Sequence, residues 1–416
     1  MSAAKLAILG GAPVRTKPWP AWPVYDEREV NALKEVLESR QWCRLSGKKV
    51  AQFEEAFAKY QDARYGIAVA NGTAALEVSL KAAGIEAGDE VIVPAFSFIA
   101  TATAPLQVNA IPIFADVELD TANIDPASIE ANITDRTRAI MPVHVGGRAC
   151  DMERILAIAR KHNLIVIEDA CHGWGSTWNG RKVGAIGTAG GMSFQESKNM
   201  TAGEGGIILT NDDDVAGKSY SLQTIGRVKG RPFYEHFTAA WNYRMTEFQG
   251  ALLLVQLERL EEQTQRRWEN ACYLDTLLKD IPCLRLQRDD PWVTRSSVHV
   301  HASRYVADAM SGVPRQKFLE ALYAEGVPAW GGWPHPLYRN PVFSQMNFGR
   351  KGHPYTCSFY GKTVDYNACN CPAVEQLCQE AVWLSQRFFL AEREDMRDIA
   401  HAVEKVWESR EALRKA

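Results

Sequence analysis

The chain has 416 residues, 46% of them hydrophobic, and carries 47 Lys and Arg against 50 Asp and Glu, a formal net charge of −3. That length and apolar content can bury one large domain together with a smaller one, and with no long basic block or arginine-rich tail in the sequence, nucleic acid is not an expected partner. Nine cysteines at irregular spacing suit a reducing compartment better than a disulfide framework. The apolar run in MSAAKLAILGGAP is too short for a signal peptide or a bilayer span, so the expectation is a soluble, cytoplasmic protein without a membrane partner.

From about residue 50 to 215 the pattern alternates strand and helix. Residues 66–70 form a short apolar run, followed by the turn Asn71-Gly72-Thr73 and a helical stretch that Gly84 stops. Residues 89–94, 111–116, 138–145 and 164–168 read as further strands, with a helix over 152–162 before the last of them, and 206–210 as another strand. Strands that are apolar throughout and joined by helices predict a mainly parallel sheet covered on both faces. Thr246-Glu-Phe-Gln249 has the form of a capping box, and the helix it opens begins apolar and becomes charged, as an element bridging two domains would. Beyond residue 280 the composition is irregular, with Trp, His and Pro clustered at 329–338. The expected division is residues 1–270 as the large domain with its N-terminal segment and 271–416 as the small one. The tight pair Cys369 and Cys371 lacks a second pair or nearby histidines, and no metal site is expected.

Ligands of α/β sheets sit beyond the carboxyl ends of the parallel strands, and three groups fall there. Asn71-Gly72-Thr73 is a strand-to-helix turn whose free N–H groups and hydroxyl can hold a phosphate at the positive end of a helix. Asp169 directly follows a buried strand. Lys198 stands in the stretch SFQESKNMTAGEGG, among small and polar residues. Taken singly, each has an ordinary structural role: a common turn, a cap or ion-pair carboxylate, a solvated lysine. Together, and in this order, they are the parts pyridoxal phosphate needs: a phosphate cradle, a carboxylate to keep the pyridine nitrogen protonated, and a lysine to form a Schiff base with the aldehyde.

Asn71-Gly72-Thr73, Pro94-x-x-Ser97-Phe98-x-Ala100-Thr101, Glu168-Asp169-Ala170-x-His172, Ser193-Phe194-Gln195-x-x-Lys198-Asn199, Gly203-Glu204-Gly205-Gly206 and Asn242-Tyr243-Arg244-Met245-Thr246 together resemble the DegT/DnrJ/EryC1/StrS family of pyridoxal-phosphate aminotransferases, which act on keto-sugars and cyclitol ketones. The resemblance runs from about residue 18 into the C-terminal domain. It implies the fold type I transferase architecture, with a large domain around a mainly parallel, seven-stranded type of sheet and a smaller C-terminal α+β domain. It also implies that Lys198 carries the cofactor as an internal aldimine and acts as general acid and base, and that Asp169 pairs with the pyridinium. By the same likeness Phe98 stacks on the ring, His172 lies near it, and Gly72, Thr73 and Ser193 hold the phosphate. Asn242 corresponds to a residue reaching the phosphate from the neighbouring subunit, so a homodimer is the expected unit. Ordinary roles stand beside these: core packing for Phe98, a helix-start polar contact for His172, a turn cap for Ser193, a helix cap for Asn242.

Gln195 stands where many sugar aminotransferases of the family have His, and resembles the branch handling cyclitols and 3-amino-5-hydroxybenzoate. So do Trp19-Pro-Ala-Trp-Pro-Val-Tyr25 and Arg40-Gln-Trp42. The implied reaction is transfer of an amino group from glutamine or glutamate to a cyclic polyhydroxy ketone, an inosose or keto-sugar, in secondary (antibiotic) metabolism. His335, Tyr338, Arg227 and Trp42 are candidate substrate contacts, with solvated or packing roles equally open. The tract 290–305 does not align cleanly with the family, and no role is assigned within it. The rival readings are an aromatising 3-amino-5-hydroxybenzoate synthase and, from another class, a non-catalytic regulator that binds the cofactor. A related dehydratase is disfavoured because Lys198 is intact, and a nicotinamide-binding protein because no G-x-G-x-x-G follows the first strands.

Overall fold

The computed structural model describes residues 5–416. Its strands, in chain order, are β1 (Tyr65–Val69), β2 (Glu90–Pro94), β3 (Ile111–Ala115), β4 (Thr137–Ile140), β5 (Ile165–Asp169), β6 (Thr177–Trp178), β7 (Arg181–Lys182), β8 (Ala189–Ser193), β9 (Gly206–Thr210), β10 (Leu284–Leu286), β11 (Val293–Arg295), β12 (Val300–Tyr305), β13 (Ala329–Trp330) and β14 (Ala381–Ser385). Seven of them form the central sheet in the order β1-β9-β8-β5-β4-β2-β3. The pairings are parallel from β8 across to β3, while β9 runs antiparallel to both β8 and β1. Every residue of β2, β8 and β9 is buried, as a sheet covered on both faces requires.

The expected strand over 138–145 is shorter: β4 ends at Ile140, Val143 makes a single parallel bridge to Asp169, and a 3-10 turn occupies Val145–Gly147. Pro142 has no N–H to continue the ladder. Strand β8 was not expected; its sequence, AGGMS, shows no apolar alternation.

A second, antiparallel sheet has the order β10-β12-β14-β13, and a small one joins β11, β6 and β7. The helix Glu247–Leu278 runs for 32 residues, and both halves of its capping box are present at Thr246 and Gln249. At 1.5 Å per residue it is about 48 Å long, packing at its start against the helix Lys49–Tyr60 and near its end against the helix Asp395–Glu408. Buried Val50, Phe53, Leu253 and Leu260 share one apolar cluster, and Leu274, Leu278, Ile399 and Val403 share another with Leu6 of the N-terminal segment.

The irregular stretch after β13 contributes buried aromatic residues to the core. Tyr338, Phe343 and Tyr366 set their rings against Phe114 of β3 at 5.9, 5.1 and 5.4 Å. Among the described residues no helix is long and apolar enough to cross a membrane, and all nine cysteines are free thiols.

Candidate active site

Four strands of the central sheet deliver their carboxyl ends to one cavity of about 540 Å³. Asn71, Gly72 and Thr73 follow β1; Ser97 and Phe98 follow β2; Asp169, Cys171 and His172 close or follow β5; Ser193, Gln195 and Lys198 close or follow β8. The first turn of the helix Gly72–Ala82 begins here, capped by Asn71, whose side chain accepts from the Ala74 N–H at 2.8 Å. The N–H groups of Gly72 and Thr73 have no partner within such a helix. Gly72 has no room for a side chain: a Cβ there would lie 2.7 Å from Cβ of Ser193 and 3.1 Å from Sγ of Cys171. The positive end of this helix, with Thr73 and Ser193 beside it, therefore faces the cavity, an arrangement able to hold an anion.

Opposite charges are set deeper. Asp169 is buried, and its carboxylate accepts from Oγ1 of Thr101 at 2.7 Å and from the N–H of Cys171 at 3.2 Å. Ser97 in turn bonds Thr101 at 2.6 Å, so the motif Ser97-x-x-x-Thr101 orients the carboxylate. The adjacent Glu168 points to the other side of the strand, fully buried, and accepts from Nε2 of His144 at 3.0 Å and from the N–H groups of Gly184, Ile186 and Gly187. Burial raises its pKa, but His144 and the N–H groups outweigh that and hold it below the ordinary carboxylate value. Glu168 thus pins β5 while Asp169 faces the cavity.

Lys198 sits in a tight turn, its N–H donating to the Gln195 carbonyl at 2.9 Å, while Gln195 Oε1 accepts from the N–H and hydroxyl of Ser197. Two distant segments hold that turn. Nε1 of Trp22 donates to the Glu196 carbonyl at 2.8 Å, and Nδ2 of Asn199 donates to the Ser297 carbonyl at 2.7 Å. Burial lowers the Lys198 pKa against the opposing pull of Cys171 and Asp169, which enlarges the fraction present as neutral amine at pH 7. Burial, the Lys198 charge and His299 together drive His172 well below the ordinary histidine range, so it faces the cavity uncharged.

Of the residues expected at the site, Gly72, Thr73, Phe98, Asp169, His172, Ser193 and Lys198 all line this cavity. Phe98 is 59% exposed, an unusually bare aromatic face for a cavity wall. Asn242 is not among the lining residues. It is exposed and bridges to Thr224 on the stretch leading to the long helix. Tyr338 is 2% exposed and donates its hydroxyl to Glu375 at 2.8 Å, so its role is packing. His335 and Trp42 are exposed, and Arg227 lies over Phe233; none of the three is among the residues lining the cavity. Sequence reasoning missed Ser297 and His299, which reach His172 and Asn199 from the tract where no alignment held. Among the described residues no group of three or more His, Cys, Asp or Glu is placed to hold a metal.

The model of the DegT/DnrJ/EryC1/StrS aminotransferase family matches residues 23–404. The chain is 36% identical to the L-glutamine:2-deoxy-scyllo-inosose aminotransferase of Streptomyces paromomycinus, covering 96% of this chain and 97% of that protein. The crystal structure of 3-amino-5-hydroxybenzoic acid synthase superposes with a TM-score of 0.85 at 32% identity, over 97% of this chain and 100% of that one. The Bacillus subtilis protein NtdA, solved with bound cofactor PMP, superposes with a TM-score of 0.77 at 27% identity, over 91% and 82% of the two chains.

Proposed function

The chain belongs to the DegT/DnrJ/EryC1/StrS aminotransferase family, and from that premise we propose that it uses pyridoxal phosphate to transfer an amino group from glutamine or glutamate to a cyclic polyhydroxy ketone of the inosose type, in the biosynthesis of an antibiotic. The observation that carries the reading is that Lys198, Asp169 and the Gly72–Thr73 turn, drawn from three separate strand ends, line a single cavity. Two features fit the cofactor in particular. Only glycine at position 72 lets the helix N-terminus pack directly against Ser193 and Cys171, which sets its N–H groups beside the Ser193 side chain, and the bare ring of Phe98 offers a face to a flat heterocycle.

When bound, the cofactor supplies an aldehyde that takes up an amine nitrogen and a ring that accepts the electron pair of a cleaved C–H bond. The chain's own groups do the rest. Gly72, Thr73 and Ser193 would hold the phosphate. Asp169, aligned by Thr101, would keep a proton on the ring nitrogen. The Nζ of Lys198 would supply the amine that holds the aldehyde and the base that moves a proton between carbons. Its pKa, lowered by burial, suits both tasks. Asn242, exposed and outside its own cavity, completes the phosphate site of a second copy in a homodimer.

Incubation of the purified protein with pyridoxal phosphate, L-glutamine and an inosose is expected to give an amino-cyclitol, and Lys198→Ala is expected to lose both the visible absorption of the bound cofactor and turnover. Transamination by Lys198→Ala would refute the assignment. No amino-cyclitol from the inosose, together with aromatisation of an amino-substituted cyclohexenone carboxylate by loss of water, would transfer the chain to the 3-amino-5-hydroxybenzoate synthase reading.

A further inference from the structure

Behind the cavity wall, Ser297 and His299 enter from just before β12 and meet two residues of the site. Gly146 donates its N–H to Nδ1 of His172 at 3.2 Å, so the proton of that ring is on Nε2. Because Asn199 spends its Nδ2 on the Ser297 carbonyl at 2.7 Å, its Oδ1 is the atom that faces Nδ1 of His299, at 3.1 Å. An acceptor there fixes the proton of His299 on Nδ1. The two imidazole rings lie 4.2 Å apart, and the hydroxyl of Ser297 donates to the His172 carbonyl. Trp174 and Trp333 close the group, with ring centroids 5.7 Å from His299 and 6.4 Å from His172 respectively. Val298, between the two clamp residues, takes φ +52°. That is a costly conformation for a β-branched residue, kept only where the surroundings demand it.

We propose that Ser297 and His299 are positioning residues, which lock the turn of Lys198 through Asn199 and hold His172 against the cavity as a hydrogen-bond donor. Neither touches the reacting atoms. Burial supports the arrangement, since it drives both rings well below the ordinary histidine pKa and keeps them uncharged. The consequence for turnover rests on the function proposed above; the clamp itself does not.

Nitrogen-15 NMR of the cofactor-free full chain, labelled at histidine, tests the clamp directly. At neutral pH His299 is expected as the Nδ1–H tautomer and His172 as Nε2–H. An imidazolium or the opposite tautomer at His299 would overturn the proposal. The second arm uses pyridoxal phosphate and L-glutamine. His299→Phe keeps a ring beside His172 and loses the N–H to Asn199, whereas the Asn side chain of His299→Asn can restore that N–H. His299→Phe is expected to lower kcat about tenfold to a hundredfold with little change in KM, and to shift the pH at which the visible band of the bound cofactor titrates. His299→Asn is expected to recover both. Equal losses in the two variants would refute positioning through Asn199. Should His299→Phe fail to fold, Asn199→Ala removes the His299 tie together with the one to the Ser297 carbonyl and is expected to show at least the same loss of kcat and shift of the band; wild-type values would refute the proposal. If the wild type neither binds pyridoxal phosphate nor processes glutamine, the proposed function fails, and the tautomers still decide the clamp.

Discussion

The carboxylate of Asp169 receives two hydrogen bonds before any ligand arrives, from Thr101 and from the Cys171 N–H, so its direction is set by the fold. Asp169→Ala is therefore expected to leave the cradle and Lys198 in place and to bind pyridoxal phosphate weakly. Amino transfer should fall about a hundredfold to a thousandfold, as when one preorganised electrostatic partner is removed; unchanged turnover in a coupled glutamine assay would refute its pyridinium role. Individual residues were legible in the sequence to the extent that their chemistry depends on local spacing. Gly72-Thr73 and Asp169 stand at the ends of strands that apolar runs mark, and strand ends are where such sheets bind ligands; Lys198 stood out as a lone lysine among small and polar residues, although β8, which leads to it, did not. His299 was not legible, because the residue it holds, Asn199, lies 100 positions earlier. For Tyr338 the sequence left substrate contact and packing equally open, and its ring and hydroxyl are spent on Phe114 and Glu375.

Among elements, β8 shows why pattern reading fails where backbones crowd. Glycine is depleted in strands, yet a Cβ at Gly190 would lie 2.4 Å from the Gly184 carbonyl oxygen, and one at Gly191 2.9 Å from Leu76. The strand is glycine-rich because its neighbours leave no space, and that strand carries Ser193 and leads to Lys198. The helix Gly72–Ala82 was read nearly in full, but not the carboxyl group it buries. Glu77 is 4% exposed and accepts from the hydroxyl of Tyr243, beside Asn242, at 3.2 Å. Burial raises its pKa from 4.5 to about 7, against the effect of Tyr243. The folded chain therefore binds this proton more tightly than the unfolded one. The associated stability is complete below the unfolded pKa of about 4.5 and is lost as pH rises through about 7. Glu77→Gln, which cannot ionise, is expected to gain in melting temperature relative to wild type between about pH 5 and about pH 8. A constant difference across that range would show that Glu77 does not titrate there.

For the whole molecule, the central sheet was legible because continuous apolar runs mark doubly covered strands. The second sheet was not, because two of its four strands, β10 and β13, have only 3 and 2 residues, too few for a period. Nor does local pattern reveal that the chain's beginning is fastened to its end. Arg15, with 1% of its side chain exposed, bonds Asp395 at 2.8 Å and Asp398 at 2.6 Å and lies 3.7 Å over Trp19. Arg15→Ala leaves Asp395 buried with only the exposed Lys17 as counter-charge, and is expected to lower stability by about 3 kcal/mol, the scale for breaking a buried pair, measured by urea unfolding. A loss below about 1 kcal/mol would place the pair with ordinary surface contacts. The fastening of the Lys198 turn, by Trp22 on one side and Ser297 on the other, has a consequence during synthesis. A ribosome that has released residues 1–280 has already made the lysine, the cradle and the carboxylate, but the peptide that anchors Asn199 is still untranslated or inside the exit tunnel. Until that peptide emerges, the turn that carries the lysine has only one of its two fastenings, the one from Trp22.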